Sequence, residues 1–113
     1  MRVKRVYEPP DPGDGLRILV DRLWPRGLSK ERAAVDLWLK EVAPSTALRR
    51  WFGHDPARWA EFARRYRAEL KRQPELVGEL KAKVQSTSAT LLFAARDVRH
   101  NQAVILERML RTH

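Results

Sequence analysis

Val3-Lys4-Arg5-Val6-Tyr7 alternates apolar and basic positions, the two-residue period of a strand with one wet face. Residues 8–15 are crowded with proline, glycine and acidic side chains and read as a loop. Leu16-Arg17-Ile18-Leu19-Val20 is apolar and β-branched, which predicts a more buried strand. It runs into Asp21-Arg22-Leu23-Trp24-Pro25-Arg26-Gly27, where Pro25 and Gly27 stop regular structure. Ser29 offers an N-cap for a helix from Lys30, with Glu31 in its first turn. Leu37, Trp38 and Val42 continue the apolar face of that helix until Pro44. Ser45 caps a short helix through Leu48, Trp51 and Phe52, and Gly53 closes it. Asp55-Pro56 then opens an amphipathic helix with Trp59, Phe62, Ala63, Tyr66 and Leu70 on one face. Beyond Pro74 a shorter helix carries Leu76, Leu80 and Val84. Thr90-Leu91-Leu92-Phe93-Ala94-Ala95 is an apolar run of the length of a fully buried strand. From Asn101, the residues Ala103, Leu106, Met109 and Leu110 recur at helical spacing.

A buried strand followed at once by a helix is half of a β-α unit. The predicted fold is therefore α/β: one domain over residues 1–113, with a small, at least partly parallel sheet flanked by helices. The alternative is an α+β arrangement with the helices packed on one face. With 43% hydrophobic residues the 113-residue chain can fill one core.

Cysteine is absent, which excludes disulfides, thiolate metal sites and thiol nucleophiles. No apolar run approaches the ~20 residues of a membrane span, and the basic N-terminus lacks the apolar stretch of a signal peptide. A cytoplasmic protein with no membrane partner is expected. The net charge of +9 favours anionic partners without naming one. Arginine supplies 17 of the 23 basic residues, a bias that a GC-rich genome or a hot habitat would also produce. Placement, rather than the total, has to carry any functional reading.

Two mixed-charge clusters stand where α/β sheets bind ligands, beyond the carboxyl ends of strands. Asp21, Arg22 and Arg26 follow the second strand; Arg96, Asp97, Arg99 and His100 follow the last. Parallel, adjacent strands would bring both to one rim. An anion there would meet a helix N-terminus and forked hydrogen bonds from Arg22, Arg26 or Arg96. Asp21 and Asp97 would orient the arginines, and Trp24 would wall the pocket. His54, in the turn after Gly53, and His100 are candidate acid/base groups beside Asp97. Bland readings stand beside these: Asp97 as a helix cap, Asp21 with Arg22 as a structural ion pair, Trp24 as a cover for the core. No phosphate-binding glycine loop, metal motif or serine-nucleophile context is present, and the residues name no cofactor. Whether the protein is an enzyme, and its oligomeric state, stay open. A second functional class is nucleic-acid binding or regulatory interaction through the arginine-rich helix 56–72, where Arg58, Arg65 and Arg72 form a stripe.

Longer segments carry a family likeness: KRVYEPP (4–10), VDRLWPRG (20–27), WLKEVAPS (38–45), WFGHDP (51–56), and LLFAARD (91–97) with HNQA (100–103). Across nearly its whole length the chain resembles the YeaO-like bacterial proteins within the domain of unknown function 488. The resemblance implies a compact α/β domain and supplies no established activity. Its matching motif residues include Asp21, Arg22, Trp24, Arg26, His54, Asp55, Arg96, Asp97, His100 and Asn101. Other branches of the broader family carry a cysteine in the last strand and a Cys-His-Arg run at the following helix. In this chain those positions hold Phe93 and Asn101-Gln102-Ala103, so thiol chemistry does not carry over.

Overall fold

In the computed structural model, which describes residues 1–111, the three strands expected from alternation and apolar runs all form. They are β1 (Arg2–Arg5), β2 (Leu16–Leu19) and β4 (Ala89–Phe93), joined by an unexpected two-residue strand, β3 (Leu37–Trp38). The sheet order is β1-β4-β2-β3 and every pairing is parallel, so β1 and β3 are its edges. Among the described residues five helices accompany it: α1 (Lys30–Ala33), α2 (Thr46–Phe52), α3 (Trp59–Lys71), α4 (Pro74–Ser86) and α5 (Gln102–Arg111). No helix among the described residues is long and apolar enough to cross a membrane.

Strand alternation sorts the side chains into two cores. Ile18, Val20, Ala89, Leu91 and Phe93 face helices α2 to α5, packing with Phe52, Phe62, Tyr66, Leu80 and Leu106. Leu19 and Leu92 face the other way, where Val6, Ala33, Trp24 and Trp38 cover them. The sheet is thus thickly covered on one side and closed by α1 and loops on the other. The four-residue α1 makes this opposite layer thin.

The chain departs from expectation after Ala33. Ala34 takes a left-handed conformation (φ 48°), its N–H closing on Lys30 O at 3.0 Å, and the helix stops there. Asp36 then docks on β2: its carboxylate accepts Arg17 N–H at 2.8 Å and its N–H donates to Arg17 O at 2.9 Å. Leu37 and Trp38 therefore lie as a strand against Ile18 and Leu19 instead of extending a helix. Val42 belongs to a separate 3-10 turn, Lys40–Val42. Ser45 and Gly53 cap α2 as their chemistry predicts, Ser45 Oγ accepting Leu48 N–H at 3.1 Å. Asp55 opens a 3-10 turn, Pro56–Arg58, before the long helix α3 begins at Trp59.

At the amino ends of the strands a buried carboxylate, Asp14, gathers three cations. It accepts Lys4 Nζ at 3.0 Å, Arg17 Nη1 at 2.5 Å and Arg2 Nη1 at 3.4 Å. Arg17 is itself buried and donates to the Ala33 and Ala34 carbonyls. Beside it Gly15, at φ 64°, approaches Ser88 so closely that a Cβ would lie 2.3 Å from Ser88 O.

Candidate functional site

An all-parallel sheet collects the carboxyl ends of its strands on one rim. Because β2 and β4 are neighbours, the loop after β2 meets the loop after β4. Asp21 is the joint: its Oδ2 accepts Ala94 N–H at 3.2 Å and its Oδ1 accepts the Gln102 side-chain amide. Trp38 Nε1 fixes the backbone below, donating to Asp21 O at 2.7 Å. Burial pushes the Asp21 carboxyl up to about 6, opposed by the bonds from Ala94 and Gln102 and by the charges of Arg49 and His54.

A cleft of about 370 Å³ opens above Asp21, within the size range of small-molecule sites. One wall is aromatic: the rings of Phe52 and Phe62 stack at 4.1 Å with an interplanar angle of 18°. Trp24, Pro25 and Pro44 contribute to the rest of the apolar lining. Among the described residues Asp21 is the sole acid lining the cleft, whereas Arg22, Arg26, Arg49, His54 and His100 bring basic groups.

The predicted residues take distinct places around it. Arg22 Nε and Nη2 donate to the Pro44 and Ala43 carbonyls, each at 3.1 Å, so much of its fork ties two loops together. Trp24 donates Nε1 to Leu28 O at 2.6 Å and meets Trp38 edge-on at 5.4 Å, so it covers the second core as well as lining the cleft. Arg26 is exposed, and its carbonyl accepts the Tyr7 hydroxyl at 2.8 Å. His54 is exposed in a left-handed turn (φ 57°) and its ring lies 6.2 Å from that of Phe52. Such backbone in a non-glycine residue is held by its surroundings, in this case the Gly53 cap and the Asp55-Pro56 turn.

After β4 the residues divide. Asp97 accepts the backbone N–H groups of Arg99 (2.9 Å) and His100 (3.0 Å), and its Oδ2 lies 2.8 Å from His100 Nδ1. These bonds, led by His100, hold its carboxyl below the ordinary value. His100 packs edge-on to Trp59 at 5.2 Å and lines the cleft, while Asp97 and Arg96 are outside the lining. Asn101 is buried and caps α5: its Oδ1 accepts Val104 N–H at 3.2 Å and its Nδ2 donates to Asp97 O at 3.0 Å. Sequence reading missed Arg49 and Gln102. Arg49 stands one helical turn before Phe52 on α2, a spacing that puts both on one face. Gln102 follows the Asn101 cap directly, which aims it at the end of β2.

The guanidinium groups of Arg26 and Arg49 have no hydrogen-bond or ion-pair partner among the described residues. Three arginines in and just before α3 are more committed. Glu61 accepts from both Arg64 and Arg65, and Arg58 donates to Trp51 O. Arg58 and Arg65 also lie over the Trp51 ring, at 5.3 and 4.4 Å. Among the described residues no group of three or more His, Asp or Glu is placed to hold a metal ion.

Comparison with known proteins puts this architecture among bacterial relatives. An uncharacterised protein of Mycobacterium tuberculosis is 44% identical over 110 residues, covering 97% of this chain and 92% of its own. The uncharacterised protein YeaO of Escherichia coli is 41% identical over 112 residues, covering 99% and 97%. No solved structure matches. A family model matches residues 1–113, and the chain belongs to the family it describes, the inactive DUF488-N3 subclade.

Proposed function

We propose that this protein binds an anionic, phosphate-bearing small molecule in the cleft at the carboxyl ends of the strands. The observation that carries this reading is the pair of uncommitted guanidinium groups, Arg26 and Arg49, on a cleft whose other lining is largely apolar. Arg22 is tied to two carbonyls and Arg64 and Arg65 to Glu61, and Arg67, Arg96 and Arg99, which also lack such partners among the described residues, lie outside the cleft. An arginine fork left open at a concave, partly dry site matches phosphate geometry. Arg22 would add its remaining N–H groups, and His54 and His100 would add ring nitrogens. The hydrogen bond between Asp97 and His100 Nδ1 sets the ring, leaving Nε2 for the ligand.

Binding without turnover also fits the word inactive in the family's description. The positions that hold thiols in other branches serve structure in this chain: Phe93 is buried in the core, and Asn101 caps α5. His54, His100 and Asp97 would then serve ligand binding rather than proton transfer.

A thermal-shift screen of phosphorylated metabolites and nucleotides tests the reading. A ligand at ~100 times its Kd stabilises a protein by about 2.7 kcal/mol. Arg26→Ala and Arg49→Ala, both at exposed positions, should each reduce that shift. A stabilising hit indifferent to both substitutions would place the ligand elsewhere. The groove between α2 and α3, with Trp51, Arg65 and Arg72 in its lining, supports nucleic-acid binding as the second reading. Filter binding to single-stranded and duplex DNA that is undetectable even at low salt would remove it.

A further inference from the structure

We infer that the ligand of this cleft is a mononucleotide whose base presents two adjacent N–H donors to Asp21, which makes guanine the preferred base. The inference rests on the anion-binding reading and narrows it. Its starting point is the order of charges along the cleft. Asp21, the sole acid of the lining, is half-buried where β2 and β4 meet, whereas Arg26 and Arg49 are exposed. A bare phosphate that reached the floor would be repelled by the carboxylate. A complementary ligand carries its negative charge at one end and hydrogen-bond donors at the other.

The floor has capacity for those donors. A carboxylate offers about four acceptor positions over its two oxygens. Ala94 N–H takes one on Oδ2 and Gln102 takes one on Oδ1. Each oxygen therefore keeps a free position, so the pair can receive two donors side by side. Among the common bases, guanine alone offers adjacent ring and amino N–H groups on its pairing edge. Adenine and cytosine set an acceptor beside their amino group, and that acceptor would face the carboxylate. Uracil flanks its single N–H with carbonyls.

The body of the cleft fits a flat ring. Phe52 and Phe62, buried beneath the cleft, give it an apolar lining against which a flat base can pack whatever its identity. Selectivity thus falls to Asp21. At about 370 Å³ the space is that of one nucleotide rather than a strand. In this arrangement Arg26 and Arg49 receive the 5′-phosphate.

Isothermal titration calorimetry on the full chain tests this with guanosine, inosine and adenosine 5′-monophosphates, guanosine and inorganic phosphate. The guanine nucleotide should bind at least about tenfold more tightly than the adenine nucleotide, the worth of one hydrogen bond to a charged group. Inosine monophosphate keeps the ring N–H but lacks the amino group, and should fall between them. Guanosine, without phosphate, should bind about tenfold more weakly than its monophosphate, and Arg49→Ala should erase most of that gap. Asp21→Asn preserves an acceptor for Ala94 and should bring the guanine and adenine nucleotides within about threefold of each other. The inosine comparison on the unaltered protein serves if that variant fails to fold. Equal binding of the three nucleotides, or a guanine preference that survives Asp21→Asn, would overturn the inference. Inorganic phosphate binding as tightly as the guanine nucleotide would also overturn it while leaving the anion-binding reading intact. Failure of every phosphate compound to bind would remove both.

Discussion

Asp14 and Asp21 bracket the second strand, and their surroundings drive them in opposite directions. Burial raises both carboxyl groups. At Asp14 that effect is outweighed by hydrogen bonds from Lys4, the Asp11 backbone and Arg17, which hold it below its ordinary value. At Asp21 two uncharged donors do not outweigh it, and the carboxyl rises to about 6. Asp14→Asn leaves the buried Arg17 without its counter-charge and is expected to destabilise the fold by about 3 kcal/mol, read from urea unfolding. An unchanged midpoint would mean that Arg17 finds its compensation elsewhere. For Asp21 the sign follows from linkage. With a folded value of about 6 against an ordinary 3.8, the folded chain holds more protons between those limits. Its contribution to stability therefore falls as pH rises from about 4 to about 6. Unfolding midpoints of Asp21→Asn should lack this downward component; parallel pH profiles for variant and parent would refute the shift.

Elements in this molecule begin and end where single side chains can satisfy backbone groups. Ser45 caps α2, and Glu69 of α3 reaches the same residue, accepting Ser45 N–H at 2.8 Å and Ser45 Oγ at 2.6 Å. Ser45→Ala removes both hydroxyl contacts and should cost about 1–2 kcal/mol in a thermal or urea melt. Tyr66 ties α3 to the 3-10 turn Lys40–Val42 by donating to Val42 O at 2.6 Å from a fully buried position. Tyr66→Phe strands that carbonyl, for an expected loss of about 1–2 kcal/mol; a neutral effect would show that water replaces the hydroxyl. Such local devices were legible in the sequence, as Ser29, Ser45, Gly53 and Asp55 all act at helix or turn ends as their chemistry predicts. What escaped was β3. The spacing of Leu37, Trp38 and Val42 suits a helical face, but the sequence carries no mark of the left-handed turn at Ala34 or of Asp36 bonding to Arg17. Tertiary pairing decided that segment, not periodicity.

For the molecule as a whole, the consequential fact is that all four strands point the same way. Half of the candidate site was readable because Asp21 and His100 each follow a strand, and parallel neighbours bring such residues together. Arg49 was not, because its place depends on how α2 leans toward the sheet, a matter of packing between Phe52 and Phe62. The strand ends opposite the cleft rely on a close approach between the turn before β2 and the turn before β4. Gly15→Ala would add a Cβ 2.3 Å from Ser88 O at a positive φ. It should cost about 2 kcal/mol or more, visible as a lower melting temperature; an unaltered melt would show that the turn yields freely. The sheet's two borders have a colloidal consequence. A foreign strand adding along β3 finds only two residues of backbone, and along β1 it meets Arg2 and Lys4 on a chain of net charge +9. Short borders and basic borders are both known guards against fibre growth, so the rim that carries the cleft belongs to a sheet whose sides discourage self-stacking at high concentration.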